Sequence, residues 1–124
     1  MRSAVTPKDL HTLFEQRLNA GDIEGLVDLY AAEGVVVVRG VAARGLDAIR
    51  QLLTEYVVMK PTIKIETSRI VDAGHIALLI ADWEFQGTRA DGSTVSTFGS
   101  SLEVAHRKSD GSWCYMIDLP YGPG

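Results

Sequence analysis

Three acidic side chains occupy positions in the C-terminal half where strand alternation would otherwise place apolar residues: Asp82, Glu103 and Asp118. A carboxylate turned toward the interior of a small domain is costly unless it is paired, hydrogen-bonded or neutralised. Burial and a neighbouring carboxylate raise a carboxyl pKa toward neutrality, which suits such groups to moving protons. The sequence therefore predicts an acid/base site with Asp118 as the base and Asp82 as its partner. In this site a protonated Glu103 donates a hydrogen bond to a substrate oxygen.

The overall composition is that of one folded domain. The chain has 124 residues, of which 46% are apolar and 23% charged, with a formal net charge of −4. These values predict a single domain over residues 1–124 and argue against a nucleic-acid partner. The N-terminal residues lack the apolar core of a signal peptide, and no apolar run reaches membrane-spanning length. We therefore expect a cytoplasmic protein with no membrane partner.

Cofactor and metal sites are not expected. Cys114 is the only cysteine in the sequence, which excludes an internal disulfide and a cysteine metal cluster. His11, His75 and His106 are far apart in the sequence, and a metal site needs several convergent ligands. No glycine-rich nucleotide motif is present.

The N-terminal half predicts three helices. Thr6, Pro7 and Asp9 form a helix start, with an N-cap, a proline at the first helical position and the acidic member of a capping box. Tyr30 is predicted on the buried stripe of the second helix. In chain order the elements are a helix from Pro7, a helix from Asp22, a strand Val35–Val38, a turn or hairpin Gly40–Gly45 and a helix Leu46–Met59.

The C-terminal half changes to strand periodicity after Pro61. Each turn contains a glycine, and Asp-Gly in the last two is a hairpin signal. The order of elements predicts the α+β class, with a cone-shaped, curved antiparallel sheet wrapped around three N-terminal helices (an α+β barrel). The predicted strands are Thr62–Val71, His75–Thr88, Thr94–Lys108 and Trp113–Leu119.

The positions of the Asp-Gly turns predict a register for the last three strands. In this register Asp82 lies opposite Ser101, and Ser101 lies opposite Asp118, so that two carboxylates share one hydroxyl. Two carboxylates this close titrate as a coupled pair, which provides an acid and a base at neutral pH. The next row on the same face comprises Ile80, Glu103 and Met116.

The two faces of this sheet are predicted to have different partners. The face with the acids would be concave and covered by helices, whereas the aromatic face would be uncovered and form a homodimer interface. A shift of the strand register by one residue would exchange the two faces. Trp83 and Trp113 would then lie in the core, and the acids would be exposed to solvent. Both registers stay open at this point. The predicted interface residues are Trp83, Phe85, Phe98, Leu102, Trp113 and Tyr115.

Four short motifs carry a family resemblance. They are Asn19-Ala20-Gly21-Asp22-Ile23-Glu24, Tyr30-Ala31-Ala32-Glu33-Gly34, Gly45-Leu46-Asp47-Ala48-Ile49 and Asp110-Gly111-Ser112-Trp113. Together they make the chain resemble the nuclear transport factor 2-like superfamily, in its SnoaL-like and ketosteroid-isomerase-like branch, over almost its whole length. The resemblance implies a cone-shaped α+β barrel with an apolar pocket between sheet and helices, often dimeric through the outer sheet face.

The same resemblance argues against steroid isomerisation. Steroid isomerases of this fold use a tyrosine on the first helix, an aspartate base on the first strand and a protonated aspartate on a later strand. The matching positions are Phe14, Val38 and Glu103. Without the base the reaction has no mechanism, and we reject it.

Two further enzyme branches support Asp118. Limonene-type epoxide hydrolases use an Asp–Arg–Asp set, whose aspartates match Asp118 and approximately Asp82. The arginine position is Ile80, and Arg69 could replace it only by pointing inward. SnoaL-type polyketide cyclases, which close rings by an aldol step, also place an acid/base aspartate toward the last strand.

The predicted function is the binding of a small, apolar organic molecule, with cofactor-independent isomerase, cyclase or hydrolase chemistry if the protein is an enzyme. One alternative is a non-catalytic small-molecule-binding protein, and another is a dimeric scaffold. In both alternatives the acids hydrogen-bond Ser101, Tyr30 or Tyr56 and complete a polar-lined core. The predicted ligand-binding residues are Phe14, Leu18, Tyr30, Val38, Leu53, Tyr56, Ile80, Ser101 and Met116.

Overall fold

The computed structural model describes residues 2–123. The N-terminal half contains the helices α1 (Pro7–Asn19), α2 (Ile23–Val27) and α3 (Leu46–Val57), and the first two strands lie between α2 and α3. The strands are β1 (Tyr30–Val38), β2 (Val41–Arg44), β3 (Thr62–Asp72), β4 (Ile76–Thr88), β5 (Thr94–Arg107) and β6 (Trp113–Leu119). None of the helices in residues 2–123 has the length and apolar character needed to cross a membrane.

Helix α1 begins as predicted. The Thr6 side chain accepts a hydrogen bond from the Asp9 backbone, and the Asp9 carboxylate accepts from the Thr6 backbone, which completes a capping box. The chain leaves the helix through Gly21, whose φ of 71° is readily adopted only by glycine. The buried side of α1 packs on the sheet and includes Leu10 and Leu13.

The second helix is shorter than predicted. It ends at Val27, and Tyr30 opens β1 instead of continuing the helical stripe. Strand β1 runs beside β6, with Tyr30 paired to Tyr115. The prediction of Tyr30 as a helical residue is therefore wrong, although its side chain is buried.

The sheet is curved, unclosed and mixed. Its six strands lie in the order β2-β1-β6-β5-β4-β3. The pair β1–β6 is parallel, whereas the other neighbouring pairs are antiparallel, so the prediction of a wholly antiparallel sheet is wrong at this pair. The α+β class and the helix-covered, cone-shaped sheet are confirmed.

The register of β4 differs by one residue from the predicted one. Asp82 pairs with Ser100 and Ala81 pairs with Ser101, because five residues, 89–93, connect the paired residues Thr88 and Thr94. This shift turns Asp82 to the outer face of the sheet, where it is exposed. The predicted inward position of Asp82 is therefore wrong.

The same shift exchanges the other side chains of β4. Ile80 moves to the outer face with Asp82, so its predicted place in the pocket is also wrong. Trp83 and Phe85 move to the inner face, where both line the cavity described below. The Trp83 indole N–H donates to the Pro120 carbonyl over 2.7 Å, which satisfies its polar atom.

A β-bulge in β6 sets the inward residues of the last strand. Ala105 pairs with Tyr115 and Glu103 pairs with Asp118, so β6 contains one more residue than β5 between these pairs. As a result Tyr115 and Asp118, three positions apart, both face the helices. Met116 does not line the cavity, and its predicted place there is wrong.

These shifts change the predicted outer face. Only Phe98 and Leu102 of the predicted interface residues lie on the outer face, and Phe98 is 79% exposed. Phe85, Trp113 and Tyr115 are buried in the core cluster, and Trp83 packs against it. Neither alternative register describes the whole sheet. The side chains of β5 face the predicted sides and those of β4 face the opposite sides. In β6 the alternation changes at the bulge.

Candidate active site

A cavity of about 550 Å³ lies between the inner face of the sheet and helices α1 and α3. Most of its wall is apolar, with Phe14, Leu18, Val38, Leu53, Tyr56 and Phe85 among the lining residues. Two groups of polar residues lie in it. We call the buried group the floor (His11, Ser101, Glu103, Tyr115 and Asp118) and the exposed group the rim (Arg39, Arg89, Thr94 and Ser96).

Most of the predicted pocket residues line this cavity. They are Phe14, Leu18, Val38, Leu53, Tyr56 and Ser101, together with the acids Glu103 and Asp118. Tyr30 is not a lining residue but contacts Asp118 from β1. Asp82, Ile80 and Met116 lie outside the cavity. Asp82 instead accepts a hydrogen bond from the Ser100 hydroxyl over 2.6 Å on the outer face.

Asp118 is a floor acid whose pKa is raised by its surroundings. Its side chain is buried, and the Tyr30 hydroxyl donates to Oδ2 over 2.5 Å. Burial, and then the negative charge of Glu103, raise the pKa of Asp118 to about 7, while the hydrogen bond from Tyr30 acts in the opposite direction. Burial, followed by the charge of Asp118, also raises the pKa of Tyr30 well above its usual value, so Tyr30 stays a hydrogen-bond donor. At neutral pH Asp118 is therefore present in both its charged and its neutral form.

Glu103 lies beside Asp118 and bonds to a buried histidine. It is the cross-strand partner of Asp118, and side chains at such positions on one face are near neighbours. Glu103 Oε1 pairs with His11 Nε2, while His11 Nδ1 lies 2.7 Å from the Thr67 hydroxyl. The hydroxyl can donate to Nδ1 when Nε2–H donates to the carboxylate, so each group has a partner.

His11 is a floor residue that sequence reasoning missed. It is 4% exposed and carried by α1. The positions of His11, Phe14 and Leu18 are three and four residues apart, which places them on one side of a helix, and all three line the cavity. This helical spacing was the signal that could have assigned His11 to the site.

Tyr115 supplies a hydroxyl that faces the cavity. It belongs to the floor, but its hydroxyl makes no hydrogen bond with a side chain or backbone group of residues 2–123. Every side-chain oxygen or nitrogen of the buried and half-buried residues in this part of the chain has either a hydrogen-bond partner or some exposed surface. The Tyr115 hydroxyl has no partner there, so it must be open to the cavity. Burial raises the pKa of Tyr115 well above its usual value, which keeps the hydroxyl protonated. The sequence analysis did not assign Tyr115 to the site, because it predicted that this side chain points to the outer face.

The Asp–Arg–Asp residues used by epoxide hydrolases do not come together in this cavity. Arg69 is exposed and pairs with Ile80, which places it on the outer face. Asp82 lies on the same face, so the predicted partner acid and the substitute arginine are both outside the cavity. No group of three or more histidine, cysteine or acidic side chains in residues 2–123 is arranged to hold a metal ion.

The arrangement can both accept a proton and stabilise a developing negative charge. Asp118 is a buried base with a pKa near neutrality, and its hydrogen bond from Tyr30 engages Oδ2. Tyr115 and Ser101 present hydroxyl groups to the same apolar space. A carbonyl compound in this space would have a base and oxygen-directed donors within one site, which is the requirement for proton abstraction beside a carbonyl.

Comparisons with known proteins agree with this architecture. A family model described as the SnoaL-like domain matches residues 10–116. A nuclear transport factor 2-like protein from Salmonella enterica superposes with a TM-score of 0.82 at 20% identity, covering 94% of this chain and 87% of that one. A ketosteroid isomerase-like protein from Erwinia carotovora atroseptica has a TM-score of 0.80 at 19% identity, covering 90% and 89%.

A third solved structure shares the fold. It is a nuclear transport factor 2-like protein with a cystatin-like fold from Novosphingobium aromaticivorans, with a TM-score of 0.76 at 17% identity, covering 90% of this chain and 75% of that chain. At these identities the similarity shows the fold alone. No curated protein matches the sequence significantly.

Proposed function

The chain belongs to the SnoaL-like domain family, and on this premise we propose that it is a cofactor-independent acid/base enzyme. Its substrate is a small, mostly apolar organic molecule with a carbonyl group, bound in the cavity. The family and fold are those of small-molecule-binding or isomerase-like proteins. The reaction is assigned to the isomerase or cyclase type, because the residues of an epoxide hydrolase do not converge.

A single observation carries the proposal: Asp118 is a buried carboxyl at the floor of an apolar cavity, with a pKa raised to about 7. A base is most effective when its pKa lies near the working pH, since it is then both available and strong enough to accept a proton. A carboxyl in water has a pKa near 4 and is a weaker base. Burial in this cavity therefore suits Asp118 to abstract a proton from carbon.

The proposed reaction begins when the Asp118 carboxylate removes a proton from the carbon next to the carbonyl. The electron pair of the broken C–H bond moves toward the carbonyl oxygen and forms an enolate. The hydroxyl groups of Tyr115 and Ser101 donate hydrogen bonds to that oxygen, where the negative charge develops. In a substrate whose enolate is conjugated with a carbon–carbon double bond, return of the proton from Asp118 to the far carbon of that system completes an isomerisation. In a substrate with a second carbonyl, attack of the enolate carbon on that carbonyl carbon closes a ring, and Asp118 returns its proton to the alkoxide oxygen that forms.

Glu103 and His11 support this reaction without taking the proton from carbon. The charge of Glu103 raises the pKa of Asp118, and the bond to His11 holds the Glu103 carboxyl in place. The Thr67 hydroxyl in turn fixes the imidazole ring. These residues therefore position and tune the base.

A second candidate is a non-catalytic protein that binds the same kind of molecule. The observation in its favour is that both floor acids already have internal partners, Glu103 with His11 and Asp118 with Tyr30. Acids satisfied in this way also serve as parts of a stable polar core. The two candidates differ in whether Asp118 exchanges protons with a bound ligand.

Hydrogen exchange distinguishes these candidates. The protein is incubated in deuterated buffer with small bicyclic ketones such as 2-tetralone, and loss of the hydrogens beside the carbonyl is followed by proton NMR. We expect the wild type to accelerate the exchange and Asp118→Asn to lower the accelerated rate by about 10² to 10⁴ fold, the usual contribution of a general base. Asp82→Asn is the matched control, because it removes an exposed aspartate of the outer face and should leave the rate unchanged.

Equal exchange by the wild type and Asp118→Asn across the ketone series would contradict the catalytic assignment. If the ketones still bind, with an affinity measured by calorimetry, the non-catalytic candidate is correct.

A further inference from the structure

Two arginines lie at the rim of the cavity and form no ion pair with an acid of residues 2–123. Arg39 follows the end of β1, and Arg89 follows the end of β4. The close contacts between basic and acidic side chains within residues 2–123 involve Arg2, Arg50 and His11, so neither rim guanidinium forms an ion pair with a carboxylate of the described chain. Asp91 is the acid nearest in sequence to Arg89, and hydrogen bonds from Ser93, followed by the charge of Arg89, lower its pKa. Both residues therefore present a positive charge at the cavity entrance.

Arg39 is held in place by an aromatic pair. Its guanidinium carbon lies 4.9 Å from the centre of the Tyr121 ring, and its Nη2 donates to the Tyr121 hydroxyl over 3.3 Å. Tyr121 packs in turn against Trp83, with ring centres 5.4 Å apart. A guanidinium has five N–H donors, so most of those of Arg39 stay available for an anion.

Arg89 is positioned by the loop that joins β4 to β5. Its backbone N–H donates to the Ser93 carbonyl over 2.8 Å, and its Nη1 lies 3.4 Å from the Ser93 hydroxyl. The loop residue Asp91 is engaged by the backbone and hydroxyl of Ser93 at 2.9 and 2.6 Å and does not form an ion pair with Arg89. The Arg89 guanidinium is therefore accessible from the rim.

The cavity carries basic side chains at its rim and acidic side chains at its floor. The rim carries Arg39 and Arg89, whereas the floor carries the acids Glu103 and Asp118. A basic rim is a local feature, because the whole chain has a net charge of −4. An anionic group at the floor would meet two acids, while at the rim it would meet two cations.

We infer that the ligand is an amphipathic acid, whose carboxylate or other oxyanion binds Arg39 and Arg89 at the rim while its apolar body fills the cavity. The inference rests on the proposed function, since it assigns the chemical class of the molecule bound there. In this orientation the uncharged end of the ligand, with its carbonyl group, reaches Asp118 and Tyr115. The arginines thus select the ligand and fix the direction in which it enters.

A pair of fluorescent probes tests the inference. The anion 8-anilinonaphthalene-1-sulfonate and the uncharged N-phenyl-1-naphthylamine share an aromatic body and differ in the sulfonate. Each is titrated into wild type, Arg39→Gln, Arg89→Gln and the double variant at low ionic strength. Arg107→Gln is the control, because Arg107 is an exposed arginine that does not line the cavity.

We expect each rim substitution to weaken binding of the sulfonate about two- to fivefold, and the double variant to weaken it about tenfold. An ion pair at an exposed site contributes up to about 1 kcal/mol, which corresponds to this range. Added salt should reduce the difference, and affinity for the uncharged probe should not change. Arg39→Lys, which keeps the charge, should retain most of the sulfonate affinity.

The outcomes separate the two proposals. If both probes bind and the arginine variants affect them equally or not at all, the assignment of the arginines is wrong and the cavity remains a ligand site. If Val38→Trp, which narrows the cavity, leaves binding of both probes unchanged while its circular dichroism spectrum is native, the probes bind elsewhere. That result, or the absence of binding by both probes, contradicts the proposed function and the inference together.

Discussion

The Tyr30 hydroxyl reaches from β1 to the Asp118 carboxylate on β6 and donates a hydrogen bond of 2.5 Å to Oδ2. This bond favours the charged form of Asp118, whereas burial and the charge of Glu103 favour the neutral form. The balance between these effects leaves the pKa of Asp118 at about 7. Tyr30 therefore acts on the proposed base from outside the cavity.

Replacing Tyr30 by Phe should raise the pKa of Asp118, because the charged carboxylate loses its donor. We also expect the free energy of unfolding to fall by about 1 to 3 kcal/mol, since a buried acceptor loses its partner. Carbon-13 NMR of labelled aspartate side chains measures the titration. Tyr56→Phe is the control, because the Tyr56 hydroxyl has no hydrogen bond to Asp118. A lower or unchanged pKa in Tyr30→Phe would show that the hydrogen bond does not act as described.

The stability of the protein should fall as the pH rises from about 4 to about 7. Asp118 binds its proton more tightly in the folded state, where its pKa is about 7, than in the unfolded chain, where it is near 4. Between these pH values the folded state carries one more proton, so raising the pH favours unfolding. Above the folded pKa this contribution is constant.

Asp118→Asn removes this dependence, because the amide does not titrate. Relative to the wild type, we expect the variant to gain stability between pH 5 and pH 8 by an amount on the order of a few kcal/mol. Urea unfolding at a series of pH values measures the difference, with Asp82→Asn as the exposed control. Parallel stability curves for wild type and Asp118→Asn would be inconsistent with a raised Asp118 pKa.

Replacing Glu103 by Gln should lower the pKa of Asp118, because the charge that disfavours a second carboxylate is removed. The same carbon-13 titration reports this shift. If the ketone exchange is catalysed, the pH at which its rate is half-maximal should move down together with the pKa. A pKa that stays constant would show that the two acids are not electrostatically linked.

Removing His11 should cost more stability than removing Thr67. His11→Ala leaves the buried carboxyl of Glu103 without its hydrogen-bond partner, and an unsatisfied buried polar group costs about 1 to 3 kcal/mol, or more when it is charged. Thr67→Ala deletes only the outer hydrogen bond of the imidazole and should cost about 1 kcal/mol. Urea unfolding at pH 7 compares them. Similar losses for both variants would show that the Glu103–His11 pair contributes no more than an ordinary hydrogen bond.

We propose that the outer face of the sheet forms a homodimer interface, with a different set of residues from the predicted one. Leu78, Val104 and Ile117 form a cross-strand row there, and Phe98 is 79% exposed. Exposed apolar side chains on one face of a sheet are a common feature of interaction sites. Light scattering should give twice the chain mass of 13.5 kDa for the wild type.

Phe98→Glu should shift this equilibrium toward the monomer by placing a charge in the interface. Val58→Glu is the matched control, because Val58 is 67% exposed and lies at the end of α3, away from the sheet face. A wild type that remains monomeric at high micromolar concentration, or equal effects of the two substitutions, would count against this interface.

The helices were the most predictable part of the fold. Thr6, Pro7 and Asp9 are local signals, and the capping box they predict is present. The limits of α2 were less predictable, because Tyr30 continues the helical spacing but pairs with Tyr115 of β6. A contact between residues so distant in sequence overrides a local periodicity, and one sequence does not reveal it.

The site was only partly predictable because strand registers depend on loop lengths and bulges. The sequence placed Glu103 and Asp118 correctly on the inner face, since strand alternation and their buried setting agree. It misplaced Asp82, because the loop before β5 displaces the register by one residue. It also misplaced Tyr115, because the bulge at Met116 leaves no clear signal in the sequence.

Strand β6 accommodates an extra residue without turning Asp118 away from the helices. In a regular strand, residues three apart point to opposite sides, so Tyr115 and Asp118 share a side only because Met116 is inserted between the pairs. Deleting Met116 would place Asp118 two positions after Tyr115, so a regular strand would still keep both side chains on the inner face. The inward position of Asp118 therefore depends on its pairing with Glu103, and the bulge absorbs the additional residue between the two inward side chains.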